Sequence, residues 1–254
     1  MFDLTGKRAL VVGIANQHSI AYGCARALRR QGTELAITYL NDKARPYVEP
    51  LARELGAAHF LPLDVRVEGQ LEAVLAAVGQ TWDRLDILVH AMAFAPKEDL
   101  QGRLVDCSAA GFALAMDISV HSLIRLTRLA LPLMTAGGTI LTFTYQGANR
   151  VQPGYQVMGP VKAALESVTR YLADELGDQG IRVHALSPGP IATRAASGLK
   201  DFAQQLEAAR LRSSLGVLID IDDVGATAAF LCSDAARHLT GSCLYIDGGL
   251  NYQG

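Results

Sequence analysis

The sequence predicts an α/β fold, a single doubly wound parallel sheet of about seven strands with helices on both faces and a small lid. Short apolar runs alternate along the chain with longer segments of helical periodicity. These runs lack the alternation of a half-exposed strand, so we expect strands buried on both faces. The 254 residues are 50% hydrophobic, and no linker or internal repeat divides them. We therefore predict one domain over residues 1–254.

The predicted elements alternate between strands and helices, which requires crossover connections of the right-handed kind. The predicted strands cover residues 8–12, 34–39, 59–63, 85–90, 138–144, 182–186 and 243–246. The predicted helices begin near Ser19 and Ala163 and cover about 68–82, 109–133 and 223–232.

Composition excludes several classes of protein. The net charge is −2 and no basic run stands out, so we expect no nucleic-acid partner. The cysteines form no C-x-x-C pair and the six histidines lack ligand spacing, so we expect unpaired thiols and no metal site. Because we find no signal-like N-terminus and no apolar run long enough to span a bilayer, we predict a cytoplasmic protein without membrane insertion.

A turn of small residues joins the first strand to the first helix. Gly13 ends the strand, and Ser19 and Ile20 begin the helix. Free N–H groups and the helix dipole would face a pyrophosphate there. The G-x-G-x-x-G pattern is absent, because Gly13 is the only glycine of the turn.

The next candidate cofactor-binding residues follow the second and third predicted strands. Leu40 stands where an acid would accept from a ribose and a base would favour a 2′-phosphate, although Lys43 and Arg45 are near. NAD(H) is therefore favoured over NADP(H). Asp64, followed by Val65, could hold an adenine amine or cap the next helix.

Tyr155 and Lys162 are two helical turns apart, so on one helix they would share a face. The cation would favour a phenolate, and the phenol could donate to an oxygen that gains charge. The plainer interpretation is a surface tyrosine and a solvated lysine that fall in phase.

A turn with proline on either side of Gly189 follows the sixth strand. The small residues after it and the amphipathic piece at 202–211 predict a lid over residues 194–211.

Taken in order, three features carry a resemblance to a known family. These are Gly13-x5-Ser19, Tyr155-x6-Lys162 with Tyr145 ten residues upstream, and the segment 191–198. With them the chain resembles the short-chain dehydrogenase/reductases, and within these the enoyl-acyl-carrier-protein reductase branch of bacterial fatty-acid synthesis. The resemblance implies a Rossmann-like NAD(P)-binding domain.

Several positions depart from the wider family or from the branch. Gly159 replaces the lysine of Y-x-x-x-K, and Ser119 stands where the wider family keeps a catalytic asparagine. Both changes favour the enoyl branch over a carbonyl reductase. Ala93 stands where the branch often has glycine, and Leu40 where a polar residue is common. Pro160 would delete a helical hydrogen bond between Tyr155 and Lys162 and kink the turn.

The resemblance also implies roles for particular residues. Tyr155 would donate to the thioester oxygen, Lys162 would hold the nicotinamide ribose, and Tyr145 would line the acyl pocket or assist. The implied cofactor-binding residues are Gly13, Ser19, Ile20, Leu40, Asp64, Val65, Met92, Lys162, Ile191, Ala192, Thr193, Arg194 and Ala195. The implied substrate-binding residues are Ala93, Phe94, Ala95, Tyr145, Tyr155 and Met158.

The implied reaction is the NADH-dependent reduction of the double bond of trans-2-enoyl thioesters, carried on acyl-carrier protein or coenzyme A, by a homotetramer. Two alternatives stay open: a divergent carbonyl or 3-ketoacyl reductase, and a catalytically idle dinucleotide-binding protein.

Overall fold

Seven parallel strands form the centre of the computed structural model, which describes residues 2–193 and 202–253. The strand order is β3-β2-β1-β4-β5-β6-β7. Because the winding reverses between β1 and β4, a crevice opens at the carboxyl ends of these two strands. The strands are β1 (Arg8–Val12), β2 (Glu34–Tyr39), β3 (His59–Pro62), β4 (Ile87–His90), β5 (Gly138–Phe143), β6 (Ile181–Pro188) and β7 (Cys243–Ile246).

Helices cover both faces of the sheet, and each face has its own hydrophobic core. The helices in the described ranges are α1 (Ile20–Arg30), α2 (Arg45–Glu54), α3 (Gln70–Gly79), α4 (Lys97–Gln101), α5 (Ala109–Met116), α6 (Ser122–Ala130), α7 (Met158–Leu176), α8 (Phe202–Arg212) and α9 (Ile221–Cys232). One core lies under α1, α2 and α9, and the other under α3, α5, α6 and α7. The predicted doubly wound α/β fold is confirmed.

The predicted strands match the observed ones to within a few residues. The largest difference is β6, which extends to Pro188 because Ser187 and Pro188 pair with Tyr245 and Ile246 of β7. Pro188 costs little there, because the pairing with β5 ends at Leu186 and the bond to β7 comes from the Gly189 N–H (2.8 Å to the carbonyl of Ile246). That residues 1–254 form one domain stays a prediction.

The predicted helix over residues 109–133 is divided by a π-helix, Asp117–His121, between α5 and α6. By length and composition this 25-residue segment, Ala109–Leu133, could cross a membrane, so the expectation that no run is long enough is wrong. In this fold the segment connects β4 to β5. Leu123 and Leu126 on it are fully buried in the core beside the sheet.

Helices α1 and α9 touch through their main chains. A Cβ at Gly23 would overlap the carbonyl oxygen of Ile221, and a Cβ at Gly225 would overlap that of Gly23. Because no side chain separates the two helices, α9 holds the amino-terminal end of α1 at a fixed height above the sheet.

We expect Gly23→Ala to lower the free energy of unfolding by about 1–3 kcal/mol, because the added methyl group meets main-chain atoms that cannot turn away. Urea denaturation measures the change. Gly177→Ala is the matched control, since Gly177 has helical dihedral angles and no atom within 4 Å of an added Cβ. Equal stability of the two variants would contradict the close helix contact.

Candidate active site

The carboxyl ends of four neighbouring strands bring most of the predicted residues to one edge of the sheet. Gly13 follows β1, Ala91 follows β4, Tyr145 lies just beyond β5, and Gly189 follows β6. Strands β2 and β3 end at this same edge. The segments that follow them, with Leu40 and the pair Asp64–Val65, therefore begin there.

The turn between β1 and α1 fits a dinucleotide pyrophosphate. Gly13 has a φ of 109°, and a Cβ there would overlap the carbonyl oxygen of Ala91. The Ser19 hydroxyl accepts from the N–H groups of Ala15 (3.0 Å) and Asn16 (3.1 Å), which fixes the turn. Helix α1 has no acidic residue in its first turn and no side-chain cap, so its positive end is left for an anion.

Tyr155 lies in a turn before α7 and not on the helix, so the prediction that it shares a helix face with Lys162 is wrong. Its N–H donates to the carbonyl of Gln152 (3.1 Å), and Gln156 has a φ of 37°. Because α7 begins at Met158, Pro160 lies in the first turn, where an N–H has no helical acceptor. The expected loss of a helical bond at Pro160 is therefore also wrong.

The rings of Tyr145 and Tyr155 lie edge to face, with centroids 5.0 Å apart. Burial and the neighbouring Tyr145 raise the pKa of Tyr155 well above its usual range. The phenol is therefore a protonated hydrogen-bond donor, and the expected phenolate favoured by Lys162 is wrong. The Lys162 ammonium instead donates to the carbonyl oxygen of Phe143 at 2.6 Å.

Lys162 is buried, with 6% of its surface exposed, so the interpretation as a solvated surface lysine is wrong. Burial lowers the pKa of Lys162 to about 8, against the opposing effect of Glu166 one turn further along α7. Lys162 therefore remains a cation near neutral pH and loses its charge in the mildly alkaline range.

The loop after β4 presents small and aromatic residues to solvent. Ala93 is exposed, as is Phe94 at 43%. Ser119 of the π-helix holds Phe94 by its main chain, accepting from its N–H (3.0 Å) and donating to its carbonyl (3.3 Å). Met92 and Ala95 pack partly buried against the core. No sequence signal foretold this use of Ser119.

Among the predicted residues after β2 and β3, Leu40 is 49% exposed and Val65 is buried. The Asp64 carboxylate accepts two bonds from the Arg66 guanidinium (3.0 and 2.7 Å), which hold the pKa of Asp64 below its usual range. Gly69 is the N-cap residue of α3, so the alternative that Asp64 caps this helix is wrong.

The turn after β6 borders a cavity of about 270 Å³. The Thr193 N–H donates to the carbonyl of Ile191 (2.8 Å), and Ala192 is exposed. The cavity is lined by His18, Pro190, Ile191, Ala192, Leu206, Leu218, Ile219, Asp220 and Ile221. Met158 is buried at the start of α7. Arg194, Ala195 and the first part of the predicted lid lie outside the described residues, and α8 forms the rest.

Comparison with known proteins covers nearly the whole chain. The family model described as enoyl-(acyl carrier protein) reductase matches residues 13–251. The enoyl-[acyl-carrier-protein] reductase [NADH] FabI of Haemophilus influenzae is 45% identical over 249 residues, which are 98% of this chain and 95% of the relative.

Solved structures agree with the sequence matches. The crystal structure of the enoyl-[acyl-carrier-protein] reductase (NADH) of Aquifex aeolicus has a TM-score of 0.95 and 45% identity, and covers 99% of both chains. The Bacillus cereus enoyl-acyl carrier protein reductase, with NADP⁺ and indole naphthyridinone, has a TM-score of 0.97 and 42% identity, and covers 100% of both. The site, the fold and the sequence thus point to one conclusion: the chain belongs to the enoyl-(acyl carrier protein) reductase family.

Proposed function

We propose that this chain reduces the carbon–carbon double bond of trans-2-enoyl thioesters on acyl-carrier protein, with NADH as the reductant. The observation that carries the proposal is the protonated, half-buried Tyr155 phenol beside Tyr145, at the sheet edge that also holds Lys162 and the Gly13 turn. A neutral donor suits a reaction in which negative charge collects on a thioester oxygen.

The dinucleotide would lie along the carboxyl ends of the strands. Bound NADH supplies the hydride that the β-carbon of the substrate receives. The Gly13 turn and the start of α1 would receive the pyrophosphate, and Lys162 would hold the ribose hydroxyls. The other residues proposed to contact the cofactor are Ser19, Ile20, Leu40, Asp64, Val65, Met92, Ile191, Ala192, Thr193, Arg194 and Ala195.

The tyrosines act on the substrate. Tyr155 donates to the thioester oxygen, and the charge that grows on this oxygen strengthens the bond most in the transition state. Tyr145, with its ring against Tyr155, supports the donor and borders the acyl chain. Ala93, Phe94, Ala95 and Met158 complete the proposed substrate site.

The surroundings of Leu40 support the choice of NADH. A 2′-phosphate needs a cation, and position 40 carries none. Arg45, the nearest guanidinium in sequence, lies 5.8 Å above the Tyr39 ring and pairs with Glu49 at 3.2 Å. Its charge is therefore already partnered on α2.

The test is the oxidation of NADH and of NADPH with a crotonyl thioester, followed by the loss of reduced-nicotinamide absorbance. We expect turnover with NADH and a higher kcat/KM for NADH than for NADPH. A β-ketoacyl thioester serves as the matched substrate. Turnover of that ketone alone would select the carbonyl reductase, and cofactor binding without any turnover would select the idle protein.

NADH affinity should depend on pH through Lys162. The ammonium is the binding form, so affinity should be constant below the pKa of about 8 and fall as pH rises through it. One proton limits the fall to about tenfold per pH unit. Fluorescence titration of NADH measures the profile, and Lys162→Met should bind weakly with no alkaline change. An alkaline fall retained in Lys162→Met would assign the titration to another group.

The assembly and location complete the proposal. We expect a homotetramer in the cytoplasm, without membrane insertion. Light scattering of the purified protein measures the mass of the assembly against the 27.1 kDa chain, and a monomeric mass would contradict the tetramer.

A further inference from the structure

Glu166 is a buried carboxylate on α7, one turn beyond Lys162, with 6% of its surface exposed. One oxygen accepts from the Thr144 hydroxyl at 2.7 Å, and the other from the Asn149 amide at 3.2 Å. The Cys243 thiol of β7 lies 3.8 Å from the first oxygen. Glu166 thus has hydrogen-bond partners on both of its oxygens.

The partners Thr144 and Asn149 stand at the two ends of the short turn that begins at Tyr145. Within this turn the Ala148 N–H donates to the carbonyl of Tyr145 (2.9 Å), and the Asn149 N–H donates to that of Gln146 (3.0 Å). Because the Glu166 carboxylate is bonded to a residue at each end of this turn, it restrains the whole turn.

The same turn supports the second tyrosine. A Cβ at Gly147 would lie 2.6 Å from Cδ1 of Tyr155, so the main chain of the turn packs directly on this ring. A shift of the turn would therefore displace Tyr145 and Tyr155 together.

Glu166 is also the negative charge nearest to Lys162 along α7, and it raises the pKa of the ammonium. His90 of β4 faces Lys162 as well, but burial lowers the pKa of His90 to about 3, so it is neutral. Around Glu166, the thiol of Cys243 is neutral because burial raises its pKa to about 12. The Tyr245 hydroxyl of β7 accepts from the Asn149 amide (3.1 Å). Arg170, one turn further along α7, lies near Cys243.

We propose that Glu166 is a positioning residue with two tasks. It holds the Tyr145 turn against the Tyr155 ring, and it places a negative counter-charge one helical turn from the buried Lys162 ammonium. This inference rests on the proposed function, because it concerns the placement of the groups that serve the reaction.

Glu166→Gln tests both tasks, because it removes the charge and replaces one acceptor oxygen by an amide nitrogen that cannot accept from Thr144 or Asn149. We expect kcat/KM for a crotonyl thioester to fall by about 10- to 100-fold, because small displacements of reacting groups are costly. The alkaline fall in NADH affinity should move to lower pH, because the charge that raises the pKa of Lys162 is gone. Glu175→Gln is the matched control, because Glu175 is exposed on the same helix; it should leave both quantities unchanged.

A second pair of variants separates the two tasks and covers a Glu166→Gln protein that fails to fold. Thr144→Val removes the hydroxyl donor and should lower kcat/KM without moving the alkaline fall. Thr144→Ser keeps the hydroxyl and should restore the rate. Equal rates for the valine and serine variants would overturn the restraint of the turn.

An unmoved pH profile in Glu166→Gln would overturn the counter-charge. NADH titrations need no turnover, so they test it even if the wild-type protein reduces no enoyl thioester. A wild-type protein that reduces no enoyl thioester would refute the proposed function and leave the counter-charge to be tested by these titrations.

Discussion

Replacing Tyr155 by phenylalanine should lower the turnover of an enoyl thioester by about 10²–10³-fold, the usual loss when one oxyanion donor is removed. The ring remains, so its contacts with Tyr145 and Gly147 are kept. NADH affinity should change little, because the phenol acts on charge that develops only in the transition state. Steady-state rates together with NADH fluorescence titrations measure the two quantities.

Tyr145→Phe is the control for this experiment. It removes a hydroxyl from the neighbouring ring and should lower turnover less than Tyr155→Phe does. The reason is that Tyr145 supports the Tyr155 donor and does not itself donate to the thioester oxygen. If Tyr155→Phe retained full turnover, the donor role would pass to Tyr145 or to a water molecule.

Replacing Gly13 by alanine should both destabilise the protein and weaken NADH binding. The alanine would need a φ near 109° and would place its methyl group on the carbonyl oxygen of Ala91. Backbone strain and overlap together should lower the free energy of unfolding by about 3 kcal/mol or more. Urea denaturation and NADH titration measure the two effects.

Gly6→Ala separates strain from overlap. Gly6 has a φ of 77°, but an added Cβ would have no atom within 4 Å. Gly6→Ala should therefore lower the free energy of unfolding by about 1 kcal/mol through strain alone, and it should leave NADH affinity unchanged. Should Gly13→Ala bind NADH as tightly as the wild type, the Gly13 turn would not be the pyrophosphate site.

The strands and their burial could be predicted because their signal is local. A run such as Leu10-Val11-Val12 is apolar at every position, which only a strand buried on both faces requires. Gly13 and Tyr145 directly follow predicted strands, so their places at the ends of strands could be predicted as well. The order of the strands was not predicted, because it depends on pairing between segments that are distant in the sequence.

The geometry inside the site could not be predicted in the same way. The spacing of Tyr155 and Lys162 suggested one helix face, but the helix begins between them, and sequence spacing alone does not locate that boundary. By its position Asp64 could have capped α3, but its carboxylate instead accepts hydrogen bonds from the Arg66 guanidinium. Glu166 gave no signal, because its partners Thr144 and Asn149 lie on separate elements.

The main-chain contact between α1 and α9 has a consequence for how this family can vary. Where two helices meet through glycine, the spacing between them does not depend on the size of the side chains nearby. Side chains deeper in the same layer, such as Leu28 and Val224, can therefore be exchanged for others of similar volume with little movement of the helix start. Sequence divergence in this layer should change stability while leaving the affinity for the dinucleotide nearly constant.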